Sequence, residues 1–177
     1  MKIISCLGNP EKRYAKTRHN IGFILGEFMA GDLGITLNKK MFSSITGTGK
    51  HYGIDLMMLF PQTYMNSSGD AVAQALGYYK EEPQNLIVIH DEIELPFGEF
   101  RTKFGGGHKG HNGLRSIISR IGTADFHRIR FGVGRPDNPN MEVADYVLSN
   151  FSKEEIDKVK ELLPGIMDII IPIIEKD

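Results

Sequence analysis

The run Leu86-Ile87-Val88-Ile89 is apolar at every position and passes directly into His90-Asp91-Glu92. Four large apolar residues in a row leave no polar face for solvent, so the segment reads as a strand covered on both sides, near the middle of a sheet. Lys2 to Leu7 also reads as a buried strand and stops at the turn residues Gly8-Asn9-Pro10. A sheet with such strands needs helices to cover it. Ile21, Phe23, Ile24, Leu25, Phe28 and Met29 recur at helical spacing and predict a helix over 20–33, capped by Asn20 and ended by Gly31 and Gly34.

The remaining pattern is consistent with this. Strands are expected at 42–48 and 54–60, a loop at 61–66 and a helix at 70–79. A further strand at 99–104 precedes the flexible run Gly105-Gly106-Gly107 and a helix over 112–121. His127 to Val133 alternates as a strand, and 142–148 is a short helix. Ser152-Lys153-Glu154-Glu155 is a capping box that opens a C-terminal helix, which Pro164-Gly165 and then Pro172 are expected to interrupt. The order predicts an α/β fold, a single domain over 1–177 with a mixed, twisted β-sheet surrounded by helices. Polar clusters directly after the strands place the active face at the strands' C-terminal ends.

With 41% apolar and 24% charged residues the 177-residue chain is that of a soluble protein. No run approaches the roughly 20 apolar residues of a membrane span, and the N-terminus lacks a signal-peptide pattern, so a cytoplasmic location is expected. The lone Cys6 excludes an internal disulfide or a multi-cysteine zinc site and reads as a small buried hydrophobe. Net charge is −1, yet between Arg101 and Arg135 eight basic residues face one acid, Asp125. A basic segment in a neutral chain suggests a local anionic ligand, although solvated charge on element faces accounts for it equally simply.

No G-x-S-x-G elbow is present and Cys6 lies inside an apolar run, so an activated water is the natural nucleophile. Histidine is suited to activate it, with a carboxylate to orient the ring. His19 stands before the first helix and Asp91 at the exit of the central strand, but any one histidine can equally be structural. Gly105, Gly107 and Gly110 fit G-x-G-x-x-G, either a weak dinucleotide signature or a mobile loop. His108 and His111 lack a third ligand at diagnostic spacing, so no metal is expected. Asn9, Asn66 and Asn112 stand at element boundaries, as turn residues or as amides that hold a peptide group and polarise a carbonyl.

Taken together, Gly8-Asn9-Pro10 with Tyr14 and Thr17-Arg18-His19-Asn20-Ile21-Gly22, Pro61 to Gly69, His90-Asp91-Glu92 with Gly105 to Leu114, and Phe126 to Pro136 resemble the bacterial peptidyl-tRNA hydrolases over about residues 1–150. The resemblance implies an esterase that separates a peptide from the 3′ end of tRNA, without metal or organic cofactor and as a monomer, its substrate partner being the acceptor end of peptidyl-tRNA. It implies that His19 is the general base, that Asp91 holds it, and that Asn9 contacts the peptide beside the ester and helps separate peptidyl-tRNA from free aminoacyl-tRNA. Asn66 and Asn112 would bind the tRNA 3′ end and position water or carbonyl. Tyr14 and Tyr64 would line the site, Met65 would be its apolar wall, His111 would support the pocket, and Lys103 and Arg130 would clamp a phosphate. Tyr64 stands where the family often has Phe, and the tail with Pro164 and Pro172 is less like the family. A non-catalytic RNA-binding relative and a nucleotide-binding enzyme are the alternatives.

Overall fold

The computed structural model describes residues 1–176. Seven strands form one sheet: β1 (Lys2–Cys6), β2 (Lys39–Met41), β3 (Ser44–His51), β4 (Ile54–Pro61), β5 (Leu86–Glu92), β6 (Phe100–Phe104) and β7 (His127–Gly132). Their order is β2-β3-β4-β1-β5-β7-β6. The central four, β4, β1, β5 and β7, run parallel, while β2, β3 and β6 are antiparallel to their neighbours. The sheet is therefore mixed, as expected, and the apolar run of β5 and the mainly apolar β1 are its adjacent middle strands.

Alternation along each strand divides the core into two layers. Ile4, Cys6, Ile87, Ile89, Ile129 and Phe131 face the helices α1 (Ile21–Leu33) and α5 (Lys153–Glu175). Ile3, Leu7, Leu86, Val88 and Phe126 face α2 (Ser68–Tyr79) and α3 (Asn112–Ile121). Each fully buried Ile, Leu or Phe contributes about 1.5–3 kcal/mol, so both layers are needed to hold the strands that carry the site. Cys6 is fully buried, as its apolar neighbours suggest, and burial pushes its thiol pKa up. No helix among the described residues is long and apolar enough to cross a membrane.

Four expectations change. Asn20 occupies the N-cap position of α1, but its side chain makes no cap and turns instead to Asn9. Gly31 lies inside α1, and Gly34 alone, at φ 68°, ends it. The strand expected from Phe42 begins at Ser44, because Phe42 and Ser43 both have positive φ (55° and 52°) and form a two-residue turn from a short strand, β2, that the sequence reading lacks. Such turns usually carry Asn-Gly, so Phe-Ser gave no turn signal. Finally, α5 runs unbroken through Pro164 and Pro172. Both prolines are exposed, as are Lys160 and Asp168 four residues before them, so the carbonyls that lose a donor reach water. The buried stripe Val159, Ile166, Met167, Ile170 and Ile174 holds the helix to the sheet.

Candidate active site

Because β4, β1 and β5 are parallel, their C-terminal ends share one edge of the sheet. Asn9 follows β1, Met65 and Asn66 follow β4, and Asp91 lies near the end of β5, which runs three residues further into the polar cluster than its apolar run suggests. Gly22 lets α1 press on this edge: a Cβ there would lie 2.4 Å from the Leu7 carbonyl oxygen and 2.6 Å from that of Ile89. His19, in the 3-10 turn Arg18–Asn20 before α1, is thereby set over the end of β5.

Asp91 is 4% exposed and gives one oxygen to each of two imidazoles. His19 Nδ1 lies 2.9 Å from Asp91 Oδ2, and His111 Nε2 lies 2.7 Å from Asp91 Oδ1. His111 is the N-cap of α3, and its Nδ1 accepts from the backbone N–H groups of Gly113 and Leu114 at 3.1 and 3.2 Å. That nitrogen therefore carries no proton, and Nε2–H donates to Asp91. Asp91 in turn accepts a hydrogen bond from His19 Nδ1–H, which leaves His19 Nε2 as a basic lone pair. Burial lowers the His19 pKa, but the Asp91 charge and hydrogen bond outweigh it and raise the value above the ordinary 6.5. Burial pushes the Asp91 carboxyl upward, yet the two histidines hold it far below the usual carboxylate range. Neighbouring His90 donates through Nδ1 to the Asp91 carbonyl at 2.8 Å. Burial and His111 push its pKa down to about 3, so it stays neutral.

These groups open into a cleft of about 920 Å³. Asn9, His19, Tyr64, Met65, Asn66, Asp91, Lys103, His111, Asn112 and Arg130 all line it. Tyr14 does not; its ring lies beneath the Arg13 guanidinium, 4.6 Å from the ring centre. Asn9 Oδ1 accepts the Met65 N–H at 2.7 Å, and Asn112 Oδ1 accepts from Arg115 Nη1 at 3.1 Å, so each amide has Nδ2 left as a donor. Tyr64 stands at the rim with φ 64°, its hydroxyl bonded to the Glu11 carboxylate. Arg130 is not a free cation: Nε and Nη2 meet Glu92 Oε1 at 3.0 and 2.9 Å. Burial, then the neighbouring Lys109, Arg130 and Arg128, lower the pKa of Lys103.

Three features escaped the sequence reading. Ile93 with Val143, Ala144, Val147 and Leu148, the last four on or beside α4 (Val143–Val147), form an apolar wall of the cleft. Arg18 ties that wall to the turn of His19: its guanidinium donates to Ser149 Oγ and the Asn150 carbonyl at 2.8 and 2.7 Å and lies over the Tyr146 and Phe151 rings. Arg128, 2% exposed, donates to the Gly107 and Gly106 carbonyls at 2.9 and 2.5 Å and so pins the glycine loop. Charged residues read as surface in a sequence, which hides both arginines.

His19, Asp91 and His111 present ligand atoms close enough to hold a metal ion. Each of the facing nitrogens is already engaged with Asp91, and the His111 Nδ1 is occupied by the α3 amides, so an ion would have to break the hydrogen bonds that orient His19. The geometry suits a water-activating base instead. A histidine base, a buried carboxylate behind it and amide donors beside it, in a cleft with one apolar and one basic side, describe an ester or amide hydrolase for an anionic substrate.

The comparisons with known proteins agree with this chemistry. A family model described as peptidyl-tRNA hydrolase matches residues 3–177. A peptidyl-tRNA hydrolase of Syntrophotalea carbinolica is 49% identical over 164 residues, covering 91% of this chain and 85% of that protein. The one from Bacillus subtilis is 43% identical over 161 residues, covering 91% and 85%. The crystal structure of peptidyl-tRNA hydrolase from Acinetobacter baumannii matches with a TM-score of 0.82 at 39% identity, covering 98% of this chain and 94% of that one. On the match over nearly its whole length, the chain belongs to the peptidyl-tRNA hydrolase family.

Proposed function

We propose that this chain hydrolyses the ester between a peptidyl group and the 3′-terminal ribose of tRNA, with His19 as general base. The observation that carries the mechanism is the His19–Asp91 contact at the floor of the cleft. His19 Nε2 takes a proton from a water as its oxygen attacks the ester carbonyl carbon. The tetrahedral intermediate carries its negative charge on the former carbonyl oxygen, where the Nδ2 donors of Asn66 and Asn112 stabilise it. The C–O bond to the ribose then breaks, and the imidazolium returns its proton to the departing ribose oxygen. Asp91 stabilises the imidazolium between the two steps. Each proton lent is recovered, so no cofactor is consumed.

The two sides of the cleft suit the two halves of such a substrate. Lys103 and the remaining N–H face of Arg130 meet backbone phosphate of the acceptor end. Phosphate contacts carry no sequence information, which suits an enzyme serving many tRNAs in translation. Asn9 Nδ2 meets the peptide next to the ester, and Met65 with the α4 wall covers its apolar parts. The protein works as a monomer, one copy holding every group named, with all of them in a single domain.

The test is acyl release from N-acetyl-aminoacyl-tRNA by the wild type and by His19→Ala, with the unblocked aminoacyl-tRNA as control. Turnover of the blocked ester, reduced by about 10²-fold or more in the variant, supports both the activity and the base. A folded wild type without turnover would instead favour an RNA-binding relative.

A further inference from the structure

Asn20 is 1% exposed, at the end of the turn that carries His19. Its Oδ1 accepts the Asn9 N–H at 2.9 Å, and its Nδ2 donates to the Asn9 carbonyl at 3.0 Å. One side-chain amide thus closes on both polar groups of a single residue. The orientation of each amide follows from the main chain, because an N–H can only donate and a carbonyl can only accept. The same logic fixes the Asn9 side chain, whose Oδ1 must face the Met65 N–H. Asn9 is left with one free polar group, the Nδ2 donor, in a residue that lines the cleft.

Stability alone would have used Asn20 differently. It occupies the N-cap position of α1, where an Asn side chain typically adds about 1 kcal/mol, and it makes no cap. The side chain is committed to Asn9 instead, at a half-buried position where water could serve the Asn9 backbone.

We propose that Asn20 is a positioning residue that locks Asn9 as a one-way donor, and that the separation of acylated from free amino groups, which the family resemblance assigns to Asn9, depends on this lock. The proposal rests on the reading of Asn9 as the peptide contact. An N-acyl group offers a carbonyl oxygen, which accepts from Asn9 Nδ2. A free α-ammonium offers only donors and a positive charge, so it meets Asn9 donor to donor. A site built for one hydrogen-bond sense rejects the ligand that lacks it more strongly than an apolar pocket can. If Asn9 could rotate, its Oδ1 would accept from the ammonium and the distinction would fade. The lock on the backbone and the Met65 N–H prevent that rotation.

The experiment measures kcat and KM for N-acetyl-aminoacyl-tRNA and for the free aminoacyl-tRNA in the wild type, Asn9→Ala, Asn20→Ala and the double variant. Asn20→Ala should lower the ratio of kcat/KM for blocked over free substrate by about tenfold or more. In the Asn9→Ala background the same substitution should change that ratio by less than about twofold, because the group it positions is gone. Asn20→Asp, of equal size, guards against a variant that fails to fold: it keeps the acceptor for the Asn9 N–H, loses the donor to the carbonyl, and should lose selectivity partially. A loss of selectivity in Asn9→Ala with none in folded Asn20 variants overturns the role of Asn20 alone, as does full additivity in the double variant. Unchanged selectivity in Asn9→Ala overturns the reading of Asn9 and the proposal with it, while leaving the His19 chemistry to its own test.

Discussion

His111 Nε2 and Asp91 Oδ1 lie 2.7 Å apart, so the residue that caps α3 also holds the carboxylate behind His19. One imidazole thereby joins a fold interaction to the proposed catalytic one, and the two can be separated. His111→Ala loses both. It should destabilise the protein by about 1 kcal/mol, the usual value of a cap, and lower kcat by about tenfold, as Asp91 loses one of its two hydrogen bonds. His111→Asn can cap α3 but falls short of Asp91. It should therefore regain the melting temperature and not the rate. Equal recovery of both would show that His111 acts only through the helix.

The pH profile tests the link between His19 and Asp91. A general base works in its neutral form, so kcat/KM should rise with pH through the His19 pKa, with a midpoint above 6.5 because that pKa is raised. In Asp91→Asn the opposing charge is gone and burial acts alone, so the midpoint should move below that of the wild type and the plateau should fall by about tenfold or more. Stability follows by linkage. A raised histidine stabilises fully below its unfolded value of 6.5 and loses that contribution as pH rises through the folded value. A lowered carboxylate stabilises above its unfolded value of 3.8 and loses that contribution as pH falls. The stability deficit of Asp91→Asn should therefore be largest between pH 3.8 and 6.5 and shrink on either side. A rate midpoint that does not move in the variant would separate Asp91 from the base.

How much of this was legible beforehand depended on whether a feature lives in local pattern or in tertiary contact. The middle strands, the helix over 112–121 and the capping box at Ser152 are local patterns, and each is found where the sequence puts it. Ten of the eleven expected site residues line one cleft, because motifs at parallel strand ends are gathered by topology. Tyr14 was misplaced since nothing in its neighbourhood says which way a ring turns from an irregular segment. Asn20 was misread for a sound local reason, as Asn before a helix is ordinarily a cap; its competing partner, Asn9, is eleven residues away. The α4 wall had no motif at all, and Arg128, although inside the Phe126 to Pro136 motif, carries no local sign of its contact with the glycine loop. Their roles exist only once 143–148 and the glycine loop have folded over the sheet edge.

Salt dependence distinguishes the two cations expected on the tRNA. If Lys103 meets a phosphate, Lys103→Ala should weaken binding to all tRNAs alike and reduce the slope of log affinity against log salt by about one. Arg130→Ala should reduce the slope similarly and also leave Glu92 without its partner in the basic side of the cleft. Its loss in affinity should accordingly exceed that of Lys103→Ala. Glu92→Gln in the Arg130→Ala background should restore part of that excess by removing the stranded charge. An unchanged salt slope in both single variants would remove the phosphate contact from the account.

The prolines of α5 offer a test outside the active site. A proline within a helix lacks the N–H for the carbonyl four residues earlier and crowds it, at a cost of about 3 kcal/mol in an interior position. At Pro172 the carbonyl concerned is that of Asp168, and both residues are exposed. Water then offsets part of the loss, and the buried side chains on either side, Ile170 and Ile174, hold the turn in place. Pro172→Ala restores the missing donor without altering the packed face. It should stabilise the protein by about 1 kcal/mol, a rise of a few degrees in melting temperature, with kcat and KM unchanged because the substitution is remote from the cleft. The offsetting term is the unfolded chain, which proline restrains and alanine does not. If that term wins, Pro172→Ala will melt lower than the wild type, and proline would then have to be counted as a stabilising element of α5 rather than one that packing overrides.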